Sequence, residues 1–174
     1  MTVVRRSAIE PQPWANGGGT TCELLVADDG AWRISLADIE QAGPFSTFPG
    51  RARLLTVVDG PVLALVVDGV EQVVEPRRPF AFGGDAEVEA SVSEGPVTAL
   101  NLIVDPTLVS PHVTVLELGR ASTLPLADDQ AALVLQGQVE VEGESAAVYD
   151  MVVGPAQISG RSTVAVITLD RSPA

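Results

Sequence analysis

Arg33 and Ser35 stand two residues apart in Ala31-Trp32-Arg33-Ile34-Ser35-Leu36-Ala37, alternating with Trp32, Ile34 and Leu36. In a strand, that period sends the polar pair to one face and the apolar trio to the other. A guanidinium turned into a cavity holds a carboxylate through two parallel hydrogen bonds. The same alternation also suits an apolar core face with Arg33 and Ser35 in water, and this segment alone leaves both readings open. Further along, Gly43-Pro44-Phe45-Ser46-Thr47-Phe48-Pro49-Gly50 places two Phe in a loop stiffened by two Pro, with Arg51 and Arg53 following at strand spacing. Such a loop walls a planar anion, or its rings plug a barrel end while the Arg pair neutralises nearby acids. Upstream, three consecutive Gly in Pro13-Trp14-Ala15-Asn16-Gly17-Gly18-Gly19-Thr20 permit close backbone approach to a ligand. They equally make a turn that tucks Trp14 over a barrel edge.

Other chemistry is missing from the inventory. There are ten Arg and no Lys, one His and one Cys. Without Lys there is no phosphate-clamping P-loop and no Schiff-base lysine. A zinc site built from His and Cys alone needs more ligands than the chain owns, and one Cys closes no disulfide within it. Cys22 has no basic neighbour to activate it, and His112 between Pro111 and Val113 reads as a surface-loop residue. No catalytic constellation emerges, and neither metal nor cofactor is expected. The net charge of -13 argues against a nucleic-acid partner and an anionic membrane surface. With no apolar leader at Met1 to Glu10 and no run long enough to span a bilayer, a cytoplasmic location is expected.

Short Val-, Leu- and Ile-rich runs between Gly, Pro and Asp must position these residues. Leu54 to Val58, Val62 to Val67 and Val70 to Val74 read as strands joined by tight hairpins at Asp59-Gly60-Pro61 and Asp68-Gly69. Asp85 to Ser93 and Gln138 to Glu142 alternate apolar and acidic residues as half-exposed strands do, and Asp38 to Ala42 is expected to make a short helical turn. A repeat links the halves: hairpin, aromatic-led strand ending in Gly, then a last apolar strand, at Leu54 to Val104 and again at Ala131 to Leu169. The predicted fold is all-β, two packed barrel or jelly-roll lobes, with the seam in Asp105 to His112. Six of the seven aromatic residues and most Arg precede residue 88, which places the pocket in the first lobe and support in the second.

In that order and spacing, the three segments strongly resemble the HutD/Ves family, and Arg53, Leu55-Thr56-Val57-Val58-Asp59-Gly60, Phe82-Gly83-Gly84-Asp85 and Gly95-Pro96 with Asn101 extend the likeness. The resemblance implies a bicupin, with an N-terminal cupin lobe over 1–110 carrying a ligand pocket and a smaller C-terminal lobe over 111–174. It implies a regulator or binder of pathway metabolites linked to histidine utilisation, and an enzymatic role is weakened by the lack of a general base near neutral pH. Carried over by position, the ligand-binding candidates are Asn16, Arg33, Ser35, Phe45, Ser46, Phe48, Arg53 and Asn101. The His-rich ligand set of metal-holding cupins is missing, so a metal-free cupin is expected. Expected partners are a small carboxylate metabolite, such as urocanate or N-formylglutamate, and a second copy in a homodimer. The alternatives are a metal-independent isomerase or hydrolase acting on a small acid, and an interaction module whose barrel is closed. Two positions depart from the family: Ala15 replaces its usual Lys and Ala99 its usual acidic residue. A lost ion pair would place the two close together.

Overall fold

The computed structural model describes residues 2–173. Among them the regular structure is antiparallel strand, apart from one 3-10 turn at Arg6–Ala8. After β1 (Thr2–Val4) come β2 (Gln12–Pro13), β3 (Gly19–Val26), β4 (Trp32–Ile39), β5 (Gly43–Pro44), β6 (Ala52–Asp59), β7 (Leu63–Val67), β8 (Val70–Val74), β9 (Phe80–Gly83), β10 (Val88–Ser91) and β11 (Val97–Val104). The second half contributes β12 (Val109–Leu118), β13 (Thr123–Leu126), β14 (Gln130–Gly137), β15 (Val139–Val141), β16 (Glu144–Ala146), β17 (Met151–Val153), β18 (Ala156–Ser159) and β19 (Ser162–Arg171).

Two compact units result. One is Glu10–Val109; the other joins the segment up to Ile9 to the chain from Ser110 onward. In the first, sheets β2-β3-β4-β11-β6-β9 and β5-β10-β7-β8 enclose a core; in the second, sheets β1-β17-β14-β19-β12 and β13-β18-β15-β16 do so. Adding eight to each strand number of β4–β11 reproduces the order in the second unit, so the sequence repeat is a repeat of an eight-stranded jelly roll. The opening segment departs from the sequence reading, which grouped it with the N-terminal lobe. It instead pairs β1 with β17, at Val3 opposite Val152, which covers an otherwise open sheet edge.

The turns explain both the agreement and the corrections. β7 and β8 form the expected hairpin, and Asp68 and Gly69 have φ of 47° and 80°. β15 and β16 repeat it through Glu142 and Gly143, at 48° and 83°. Positive φ at both central positions matches the twist of the flanking strands. The expected hairpin at Asp59-Gly60-Pro61 is not formed, because β6 and β7 belong to different sheets. Those residues carry the chain across the sandwich, and the step from β14 to β15 does the same. Nor is there a helical turn at Asp38 to Ala42: Asp38 and Ile39 finish β4, paired with Thr98 and Val97. His112 lies within β12 rather than in a loop.

Period-two alternation then fills each interior. Ala37, Ile39, Leu55, Val57, Leu63, Leu65, Val88, Ala90 and Ala99 form the first core. Leu126, Ala132, Val134, Val139, Val141, Val152, Ile158 and Val164 form the second.

Candidate functional site

A cavity of about 500 Å³ opens in the first unit. Along β4 it receives Arg33, Ser35, Ala37 and Ile39; along β11, Asn101 and Ile103; along β3, Thr21 and Glu23. Trp32, Ile34 and Leu36 therefore face the opposite side, where Ile34 and Leu36 are also buried. The two readings of the Arg33 segment resolve in favour of the cavity.

The triglycine run and the double-Phe loop close the cavity's rim. Trp14 N–H donates to the Gly19 carbonyl at 2.9 Å, and its indole Nε1 donates to Thr21 Oγ1 at 2.8 Å. Its ring meets Phe45 edge-on, centroids 6.0 Å apart. Asn16 Oδ1 accepts from Gly18 N–H at 2.9 Å, while Asn16 Nδ2 reaches the Pro44 carbonyl at 3.4 Å. The amide thus ties the glycine turn to the loop. Phe45 N–H donates to Val88 and Phe48 N–H to Gly84, at 2.8 and 2.7 Å, so the loop is pinned by its backbone.

Of the eight candidate residues, Asn16, Arg33, Ser35, Phe45, Ser46, Phe48 and Asn101 line one cavity. Arg53 does not line it. Arg53 is only 6% exposed, and its guanidinium carbon lies 5.4, 5.1 and 4.8 Å from the ring centres of Phe45, Phe48 and Phe82. Its Nη1 donates to the Ser46 carbonyl at 3.2 Å. Burial first, and then the charge of Arg33, lower its pKa to about 10. Arg53 holds the loop from behind, whereas Arg33 faces the cavity. Arg51, its partner in the sequence pattern, turns away and donates to the Gly30 carbonyl at 2.9 Å.

Arg33 Nη2 meets Glu23 Oε2 at 2.6 Å, and its guanidinium carbon lies 5.7 Å from the Phe48 ring centre. Arg33 Nε is buried without a partner, as are Arg53 Nε and Asn101 Oδ1. Unpaired buried polar atoms are uncommon because each forfeits its hydration. Three of them in and behind one cavity wall mark a surface suited to a polar ligand. Sequence reasoning missed Glu23. Its alternation with Cys22 and Leu24 on β3 was a signal, but a register shift between Glu23 and Leu25 blurs it. Ala15 lies on the cavity wall, and Ala99 stands opposite the wall residue Ala37.

The residues that line the cavity do not suit a bound metal ion. The cavity wall offers Glu23 with neither His nor Cys. Cys22 is buried on the other face of β3, and exposed His112 faces Asp170 at 3.6 Å. Among the described residues no group of three or more His, Cys, Asp or Glu side chains converges. Nor is any described helix long and apolar enough to cross a membrane.

Two jelly rolls, one enclosing a polar-lined cavity, define a bicupin. A cupin 2 conserved barrel domain protein from Leptotrichia buccalis shares the fold, with TM-score 0.62 at 10% identity over 97% of this chain and 96% of that one. The HutD family model matches residues 6–165, and the chain belongs to this family. HutD from Pseudomonas fluorescens SBW25 superimposes with TM-score 0.83 at 30% identity, covering 99% of both chains. A 21.2 kDa protein in the hutC 3′ region of Pseudomonas putida is 38% identical over 118 residues, 61% of this chain and 59% of that protein. Protein Ves of Citrobacter koseri is 38% identical over 87 residues, 47% of this chain and 46% of Ves. The matched segments thus span between about half and three fifths of these curated relatives.

Proposed function

We propose that this protein binds a small carboxylate-bearing metabolite in the first-lobe cavity and acts as a cytoplasmic, metal-independent sensor or modulator in histidine utilisation. The observation that carries the reading is Arg33. It faces a cavity of about 500 Å³, spends one contact on Glu23 and keeps a buried Nε with no partner. A carboxylate accepts two guanidinium hydrogens in one plane and satisfies that donor. Ser35 adds a hydroxyl, Phe45 and Phe48 supply the wall, and Asn16 holds the rim. The link to histidine utilisation draws support from the family and from the relative in the hutC 3′ region. A cavity of that size also speaks against the closed-barrel alternative.

The test is a thermal-shift panel of urocanate, N-formylglutamate, histidine and simple carboxylates on the wild type and Arg33→Ala. A true ligand at a hundred times its dissociation constant adds about 2.7 kcal/mol of stability. Arg33→Ala is expected to weaken it at least tenfold. If no compound shifts the wild type, or the variant binds equally well, the reading fails.

A further inference from the structure

The sheet that carries the cavity wall is organised in rows that cross the strands. Glu23 on β3 stands opposite Ser35 on β4, and Ser35 stands opposite Asn101 on β11. Two residues along, Arg33 stands opposite Ile103, which in turn stands opposite Arg53 on β6. Two strand residues separate such rows by about 6.6 Å. The arginine row donates only. The neighbouring row mainly accepts, through the Glu23 carboxylate and Asn101 Oδ1, while the Ser35 hydroxyl serves either way.

Asn101 Oδ1 is the decisive atom: it is buried, on the cavity wall, and has no donor. A ligand bearing nothing but a carboxylate would satisfy Arg33 and leave that oxygen, already out of reach of water, unpaired. It would also bring its charge against Glu23, 2.6 Å from the same guanidinium. A ligand with an N–H one row away from its carboxylate removes both penalties. Resting on the carboxylate reading above, we propose that the natural ligand is an acid carrying an N–H donor one row away from its carboxylate, selected by Asn101 and Glu23. Sites built around a hydrogen-bonding substrate group reject the analogue lacking it far more strongly than apolar pockets reject a missing methylene.

A matched pair of probes separates the two layers of this reading. 4-Aminobenzoate and 4-methylbenzoate share a carboxylate, a ring and nearly the same shape, and differ in whether the far end donates. Isothermal titration on the wild type is expected to show the amino compound binding at least tenfold more tightly. In Asn101→Leu that preference should fall toward one, while the methyl compound holds or gains affinity. Glu23→Gln, whose amide also donates, should reduce the preference too and serves should the first variant fail to fold. Equal wild-type affinities overturn donor selection and leave the carboxylate reading standing. Binding of neither probe overturns both. Binding of both that survives Arg33→Ala shows that the carboxylate is not where we place it and overturns both as well.

Discussion

A guanidinium withdrawn from water needs compensation, and Arg53 finds it in rings and one carbonyl rather than in a carboxylate. Phe45, Phe48 and Phe82 surround it, and Ser46 accepts one of its hydrogens. A ring contact of this kind is worth about 0.5–1 kcal/mol at an exposed site and about 2 kcal/mol or more when desolvated. Lys carries the same charge, but its compact ammonium cannot cover three rings and reach the carbonyl at once. Arg53→Lys is therefore expected to cost about 1–3 kcal/mol in urea unfolding, and to weaken ligand binding through a loosened Phe48 wall. Unchanged stability would show that the rings merely surround Arg53 without holding it. At this scale the sequence was half legible. Alternation around Arg33 narrowed it to two faces, and the fold chose the inner one. Spacing alone made Arg51 and Arg53 equivalent, yet one reaches Gly30 and the other is buried behind the loop. What separates them is where the double-Phe loop lands, a long-range fact absent from local spacing. Glu23 was hidden for a related reason, since the register shift beside it breaks the alternation that would have assigned its face.

Strands and turns were more legible than contacts, because period two and turn chemistry are local. Within Asp85 to Ser93 the inward face buries Val88 and Ala90 and half-buries Ala86 and Val92, and Gln138 to Glu142 buries Val139 and Val141, as the alternation requires. The turn at Asp59-Gly60-Pro61 misled because its composition suits both a hairpin and a crossing between sheets, and only the partner strand distinguishes them. One device shared by both lobes determines how the cavity wall is held. Gly84 follows β9 and Gly154 follows β17; their N–H groups donate to the Arg51 and Gln130 carbonyls at 2.7 and 2.8 Å. At Gly84 an added Cβ would collide with the carbonyls of Phe48 and Arg51, rigid backbone that cannot step aside. Gly84→Ala should consequently push the double-Phe loop off β9 and cost about 2–4 kcal/mol. Ligand affinity should fall together with stability. A variant that keeps wild-type unfolding and wild-type binding would show that the loop yields easily and is not a fixed wall.

Across the whole molecule, the strand order and glycine positions of the predicted repeat are those observed, although the step read as a hairpin crosses between sheets in both halves, and the use of the opening segment was not legible. Nothing in Thr2 to Ile9 announces a strand partner some 150 residues away, because edge pairing depends on an open ladder rather than on composition. The structure shows Asp150 fastening that segment. Its Oδ1 accepts from Arg6 N–H at 2.9 Å; its Oδ2 accepts from Arg5 Nη1 at 3.0 Å and from Ala147 N–H at 3.1 Å. Arg5 reaches further to the Ser145 carbonyl and to Glu144. Asp150 is 7% exposed, whereas the Arg5 side chain is 38% exposed. Losing the buried acceptor should therefore cost more than losing the half-exposed donor. Asp150→Ala strands two backbone N–H groups and a guanidinium and is expected to cost about 2–4 kcal/mol, against about 1 kcal/mol or less for Arg5→Ala. Hydrogen exchange gives the sharper readout: amides of β1 and β17 should lose protection in Asp150→Ala, while those of β4 and β11 around the cavity keep theirs. Protection lost equally in both units would mean that Asp150 supports global stability rather than the attachment of this segment.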